Sequence, residues 1–265
     1  MMKDRSTLGT RRRSTRRRVG SAAVLALMGV AAALPAAVSA QAGGPGFTFR
    51  RPVASVTLRA GYAMASARSD IFDDLMAPLI VDRRDFDAPY VGGSLAIAVA
   101  DRWDVAVDAG HAWSRTRVEW RDYVELDGSS IWQTVSFSTT PVTVGARYYV
   151  TGRGRGIGRF VWIPARVTPY VGAAVGLVRY RFAREGDFVD LDSEEIYSDR
   201  LESMGTTFTA HGQAGIEVGI ARSVFLAGEA RYQWGRADLD SSVYEGFEPI
   251  DLSGLRFTAG LGVRF

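Results

Sequence analysis

The sequence predicts an eight-stranded antiparallel up-and-down transmembrane β-barrel that follows a cleaved signal peptide. Three observations predict it. Apolar residues recur at every second position in eight segments of about ten residues, connections between segments alternate short and long, and the first forty residues read as an export signal. Composition removes the competing classes. The 265-residue chain has no Cys, which excludes disulfide scaffolds and cysteine-ligated metal sites. A 47% hydrophobic and 11% aromatic content suffices for a substantial core and argues against disorder. Only Val19 to Ala37 approaches the length of a membrane-spanning helix, about 20 apolar residues, and Gly29 and Pro35 interrupt it. A polytopic helical membrane protein is therefore excluded.

Residues 1–40 are read as the signal peptide. Lys3, Arg5, Arg11, Arg12, Arg13, Arg16, Arg17 and Arg18 stand against Asp4; the apolar run follows, and the small-residue stretch Val38-Ser39-Ala40 places cleavage after Ala40. An uncleaved anchor is the alternative, which Pro35 and the small-residue ending disfavour. Arg16-Arg17 invites a twin-arginine reading, but Val19-Gly20 lacks the bulky pattern that should follow, so the Sec route is expected. Cleavage also changes the charge. The whole chain is +3, whereas the remainder holds 24 basic and 28 acidic residues and is about −4, so nucleic acid drops out as a partner.

Residues 41–52 are a lead-in, and 53–265 the barrel. The first strand puts Ala54, Val56, Leu58, Ala60, Tyr62 and Met64 on one face and Thr57, Arg59 and Gly61 on the other. The second offers Val91, Leu95, Ile97 and Val99 against Gly92 and Ser94; the third Trp103, Val105, Val107, Ala109 and Trp113 against Asp104, Asp108 and Gly110. Val142 to Val150 form the fourth, with Thr143, Gly145, Arg147 and Tyr149 opposite. The remaining four are centred on Val171 to Leu177, Phe208 to Ile220, Val224 to Trp234 and Leu255 to Phe265. Short connections are read at Ala100 to Arg102 and Ala221 to Ser223, and long loops at Ala67 to Ala88, Ser114 to Trp132, Ala183 to Gly205 and Gly235 to Ser253. Thr151 to Arg166 dissents: it lies at the short-turn end yet is long, and its Gly-Arg repeats read as a flexible basic linker without the Lys-Ser/Thr of a phosphate loop.

A soluble β-sandwich would crowd its second face with ordinary surface residues. Here that face is dotted with glycines among isolated charges, which suits the interior of a small closed cylinder. Tyr62, Trp103, Trp113, Tyr148, Phe182, Phe208, Tyr232, Trp234 and Phe265 gather towards strand ends, where an interfacial girdle belongs.

The segment Thr168-Pro169-Tyr170-Val171-Gly172-Ala173-Ala174-Val175-Gly176-Leu177 resembles the Pro-Tyr-Val-Gly-Ala-Gly-Val-Gly strand of small outer-membrane barrels, the group of the OmpA barrel domain, OmpX, OmpW and the opacity proteins. It departs at Ala174, where Gly is usual. The last strand, ending in Phe265, resembles the assembly signal of that group. The resemblance implies an outer-membrane protein of a diderm bacterium, with outer-membrane lipid and, during insertion, the barrel-assembly machinery as partners. No peptidoglycan-binding domain is expected after Phe265.

Strand parity turns Arg59, Asp104, Asp108, Arg147, Glu217, Glu229, Arg231, Arg256 and Arg264 inward. Five bases and four acids favour mutual pairing, because an isolated charge in a narrow cylinder is strongly desolvated. An eight-stranded barrel is only just filled by its own side chains, so a plugged lumen is expected. The alternative is a gate in which Arg231 or Arg147 exchanges partners between Glu217 and Glu229. The loop Ala183 to Gly205 is acidic, and Asp187, Asp190, Asp192, Glu194 and Glu195 offer oxygen ligands for divalent cations, at no spacing that defines a dedicated site. No cofactor and no catalytic residue is predicted. His111 faces outward, out of step with Ser114, and His211 points inward; neither activates a nucleophile. The function expected is a non-enzymatic barrel serving envelope stability or surface interaction. The alternatives are an OmpW-like conduit for ions or small apolar molecules and a lipid A-modifying barrel enzyme.

Overall fold

The computed structural model describes residues 47–125, 127–158, 161–190 and 196–265. The signal peptide assigned to residues 1–40 lies outside them.

Eight antiparallel strands close a ring: β1 (Ala54–Ala65), β2 (Ala88–Ala98), β3 (Trp103–Val124), β4 (Ser130–Tyr149), β7 (Val167–Val189), β8 (Ile196–Gly219), β9 (Val224–Ala237) and β11 (Gly254–Arg264). Each pairs with its neighbour in sequence order, β8 pairs with β9, and β11 closes on β1 from Ser55↔Arg264 to Ala65↔Gly254. Closure leaves no free edge in the lower part of the ring; above it, β3 beyond Ala112 and β8 before Thr209 pair with a strand on one side only. Three further short strands lie off the ring: β5 (Gly154–Ile157), β6 (Val161–Pro164) and β10 (Ile250–Asp251).

Around the lower part of the ring the outward residues are apolar and exposed. Leu58, Val91, Val107, Val144, Val175, Ile216 and Leu261 all look out, Leu58 at 70% exposure. Facing water, such a continuous belt would be a severe liability; facing acyl chains it is the exterior of a transmembrane barrel. The glycines of the inner face have a more specific cause than a narrow bore. The Tyr90 phenol lies flat across Gly92 and Gly110, Tyr170 across Gly215, and Phe225 across Gly262; a Cβ at any of these would overlap the ring.

Above the belt the pattern inverts. β3, β4, β7 and β8 run 20 to 24 residues, far beyond the about 10 needed to cross. Ser114 to Trp132 and Ala183 to Gly205 are therefore largely strand, not loop. Their outward positions are now polar, as at Arg115, Arg117, Thr134, Arg179 and Arg181, while Val118, Trp120, Ile131, Val135, Val178 and Phe182 are buried inside. Phe182, assigned above to the lipid girdle, is fully buried: the in–out alternation of β7 runs on unbroken, and above Leu177 the apolar residues occupy its inward positions.

The two remaining long connections fold into this apolar mouth. Helix α1 (Asp70–Met76) buries Ile71, Phe72 and Leu75 there, with Asp70 and Asp73 in its first turn complementing the helix dipole. Phe72 packs edge-on against Phe86 (ring centroids 4.7 Å apart), Phe137 (5.9 Å) and Phe182 (6.1 Å). A 3-10 turn at Arg83–Phe86 follows, closed by a capping box between Asp82 and Asp85. Tyr244, Ile250 and Leu252 join from the connection after β9. The two connections are tied together: the Asp70 carboxylate accepts from Glu248 N (3.0 Å), and Ser69 Oγ accepts from Asp251 N (3.0 Å).

At the opposite end the stretch 151–166 is not a flexible linker. β5 and β6 pair as a hairpin, and Thr48 of the lead-in forms a bridge with Trp162. The short turns at Ala100 and Ala221 close as expected, through Ala100 N to Trp103 O and Ala221 N to Val224 O.

Candidate functional site: the closed lumen

The barrel interior is where the described residues gather buried charge. Asp108, on β3, is its hub. Its Oδ1 accepts from Arg147 Nη2 (2.8 Å), Arg59 Nη1 (3.0 Å) and Arg231 Nη2 (3.1 Å), which reach it from β4, β1 and β9. Arg231 also donates to Glu229 Oε1 (2.9 Å) and Gln213 Oε1 (2.8 Å), and Tyr170 OH donates to Glu229 Oε2 (2.7 Å). All these side chains are buried, so each ion is stripped of water and the cluster survives by mutual satisfaction.

A second tier lies towards the short-turn end. Tyr149 OH is shared between Asp104 Oδ2 (3.0 Å) and Glu217 Oε1 (3.1 Å), and Arg264 Nη2 approaches Glu217 Oε2 (3.4 Å) while stacking on Phe225. Arg153, from the β5–β6 hairpin, enters this mouth from below. Its guanidinium pairs with Asp104 (2.7 Å) and lies 4.8 Å over the Tyr149 ring.

The nine charged residues that parity turned inward are all buried, and eight of them make an ion pair. Arg256 makes none among the described residues: it donates to Gln233 Oε1 (3.2 Å) and stacks 3.9 Å from the Tyr90 centroid. Phe265 is exposed and closes the ring by donating its N–H to Ala54 O. Sequence reasoning missed Tyr170, Gln213 and Arg153 as members. Inward parity marks the first two; nothing local marks Arg153, whose role depends on where the hairpin folds.

The third tier is the apolar plug around Phe72 and Phe182. Burial there pushes the Tyr244 phenol up to about 12 and also raises Tyr180, whose hydroxyl donates to Asp238 O (2.6 Å). Asp87, at the rim, is raised by burial despite a hydrogen bond from Ala65 N.

His111 is exposed on the outer face, shares a hydrogen bond with Thr140 Oγ1 (2.8 Å) and stacks on Trp113. His211 is buried in the lumen. Among the described residues no group of three or more His, Asp or Glu could hold a metal ion; Asp187 accepts from Ser198 Oγ (2.6 Å), and Asp192, Glu194 and Glu195 lie outside the described residues.

No family model and no curated protein matches the sequence. Among solved structures, the chain is similar to the outer membrane protein OprG from Pseudomonas aeruginosa (15% identity, TM-score 0.47, covering 82% of this chain and 99% of that one). It is similar to Neisserial surface protein A (15%, TM-score 0.45, 80% and 97%) and to the outer membrane protease OmpT from Escherichia coli (8%, TM-score 0.39, 83% and 98%). At that level of likeness, the evidence for a closed barrel is this chain's own strand ladder.

Proposed function

We propose that the protein is an outer-membrane barrel, exported through the Sec route, that conducts no solute and catalyses no reaction, and that serves envelope stability or surface interaction through its tall outer end. The observation that carries this reading is closure at three levels: Arg153 in the lower mouth, the Asp108 network in the middle, and the aromatic plug above. Breaking the middle tier alone costs several kcal/mol per stranded ion, so thermal fluctuation does not open it. Against an enzyme, the exposed His111 is engaged by Thr140 and not by a carboxylate or an attacking serine.

Planar-bilayer recording of the refolded protein tests the reading. No steady single-channel current is expected. A robust current that Glu229→Ala or Arg231→Ala alters would overturn it in favour of a conduit. Incubation with lipid A, read as acyl pattern by mass spectrometry, tests the enzymatic alternative; an altered pattern would establish it.

A further inference from the structure

Six guanidinium groups and four carboxylates meet in the two charged tiers. Arg59, Arg147, Arg153, Arg231 and Arg264 share Asp104, Asp108, Glu217 and Glu229; Arg256 is left over. It is 6% exposed, and its Nε and Nη1 have no hydrogen-bond partner. Glu229, opposite Thr258 in the register and so one inward step from Arg256, is already occupied by Arg231 and Tyr170.

A buried lysine in this position could shed its proton, but arginine cannot. A permanent buried cation that shares no carboxylate directly is an unfavourable arrangement unless another group compensates it. The Tyr90 ring face compensates one side of the guanidinium plane only. Beside it lies a half-open cavity of about 40 Å³, lined among others by Arg256, Gln233, Thr139, Ser253, Phe86 and Phe137. That is room for a few waters or for a small anion. Next to it His211, the cross-strand neighbour of Gln233, is also buried with its Nε2 unpartnered.

We propose that Arg256 holds one small monovalent anion of halide size in the cavity between the charge network and the aromatic plug. The single guanidinium sets the charge. One guanidinium beside the apolar Phe86 and Phe137 favours a weakly hydrated monovalent anion over a strongly hydrated dianion such as sulfate. The anion completes the charge balance of the lumen and bears the contact between its polar and apolar tiers; the inference does not depend on whether the barrel conducts.

The experiment is crystallisation of the full refolded barrel in bromide, with anomalous difference maps of the wild type and of Arg256→Gln. A bromide peak within hydrogen-bonding distance of the Arg256 guanidinium, absent in Arg256→Gln, is the result expected. Water density alone at that point, elongated density of an amphiphile, or a peak that persists in Arg256→Gln would each overturn the proposal. If Arg256→Gln does not fold, the wild-type map decides by itself.

Discussion

Leu177 and Val178 are consecutive in β7, yet Leu177 is 55% exposed on the lipid-facing belt while Val178 is wholly buried in the aromatic plug. One peptide bond joins two solvents: at Leu177 the barrel is apolar outside, and from Val178 upward it is apolar inside. The membrane barrel continues upward as a water-facing four-stranded wall of β3, β4, β7 and β8, and the two parts should fail separately.

Phe182→Ala tests the upper half. Loss of a buried ring with partial collapse costs about 3–5 kcal/mol. The plug connections should become sensitive to protease, while the unboiled protein still migrates faster than the boiled one on a gel, because the belt is intact.

Asp108→Asn should destabilise the whole barrel. Three arginines lose their common carboxylate, and stranding buried ions of this kind costs about 3–5 kcal/mol. Urea unfolding in lipid vesicles, followed by tryptophan fluorescence, should show the lower midpoint.

Leu58→Arg tests the belt. Leu58 lies mid-strand, opposite Leu261, with its side chain pointing outward. An arginine at the bilayer midplane costs about 2–4 kcal/mol. The penalty relative to Leu58→Ala should appear in vesicle unfolding; equal midpoints would remove lipid from that face.

Arg153→Ala should release the hairpin. Without the Asp104 pair, trypsin should cut at the exposed Arg155 much faster than in the wild type, seen by fragment mass, with the gel mobility shift unchanged.

Alkaline titration should loosen the plug from above. The Tyr244 phenol, at about 12 against about 10 when unfolded, is raised in the folded state. Its contribution is complete below pH about 10 and is lost as pH rises towards 12. Amide exchange of α1 should accelerate across that window in the wild type, and less steeply in Tyr244→Phe, where Tyr180 is left to titrate.

Much of the lumen was legible because parity is local: once Leu58 looks out, Arg59 looks in, and the same step assigns Asp108, Arg147 and Arg231 without knowledge of their partners. The outer walls were not legible. Their alternation continues without a gap, but its apolar phase moves to the other face at Leu177–Val178, and a reading that takes apolar to mean outward sees only the end of a strand. The Gly-Arg hairpin was illegible for a different reason: its strands are only four residues long, and Trp162 and Arg153 acquire meaning only from Thr48 and Asp104, which lie far away in sequence.

The sequence by itself determined the period of the strands, their number, and the inward set of charges, since each follows from the two-residue repeat of an extended chain. Tertiary structure alone decided which arginine meets which carboxylate, that α1 fills the mouth, and that Arg256 makes no ion pair among the described residues. Those outcomes depend on the stagger between strands and on connections folding back across the ring. Both are set by contacts between residues far apart in the chain, which no local pattern encodes.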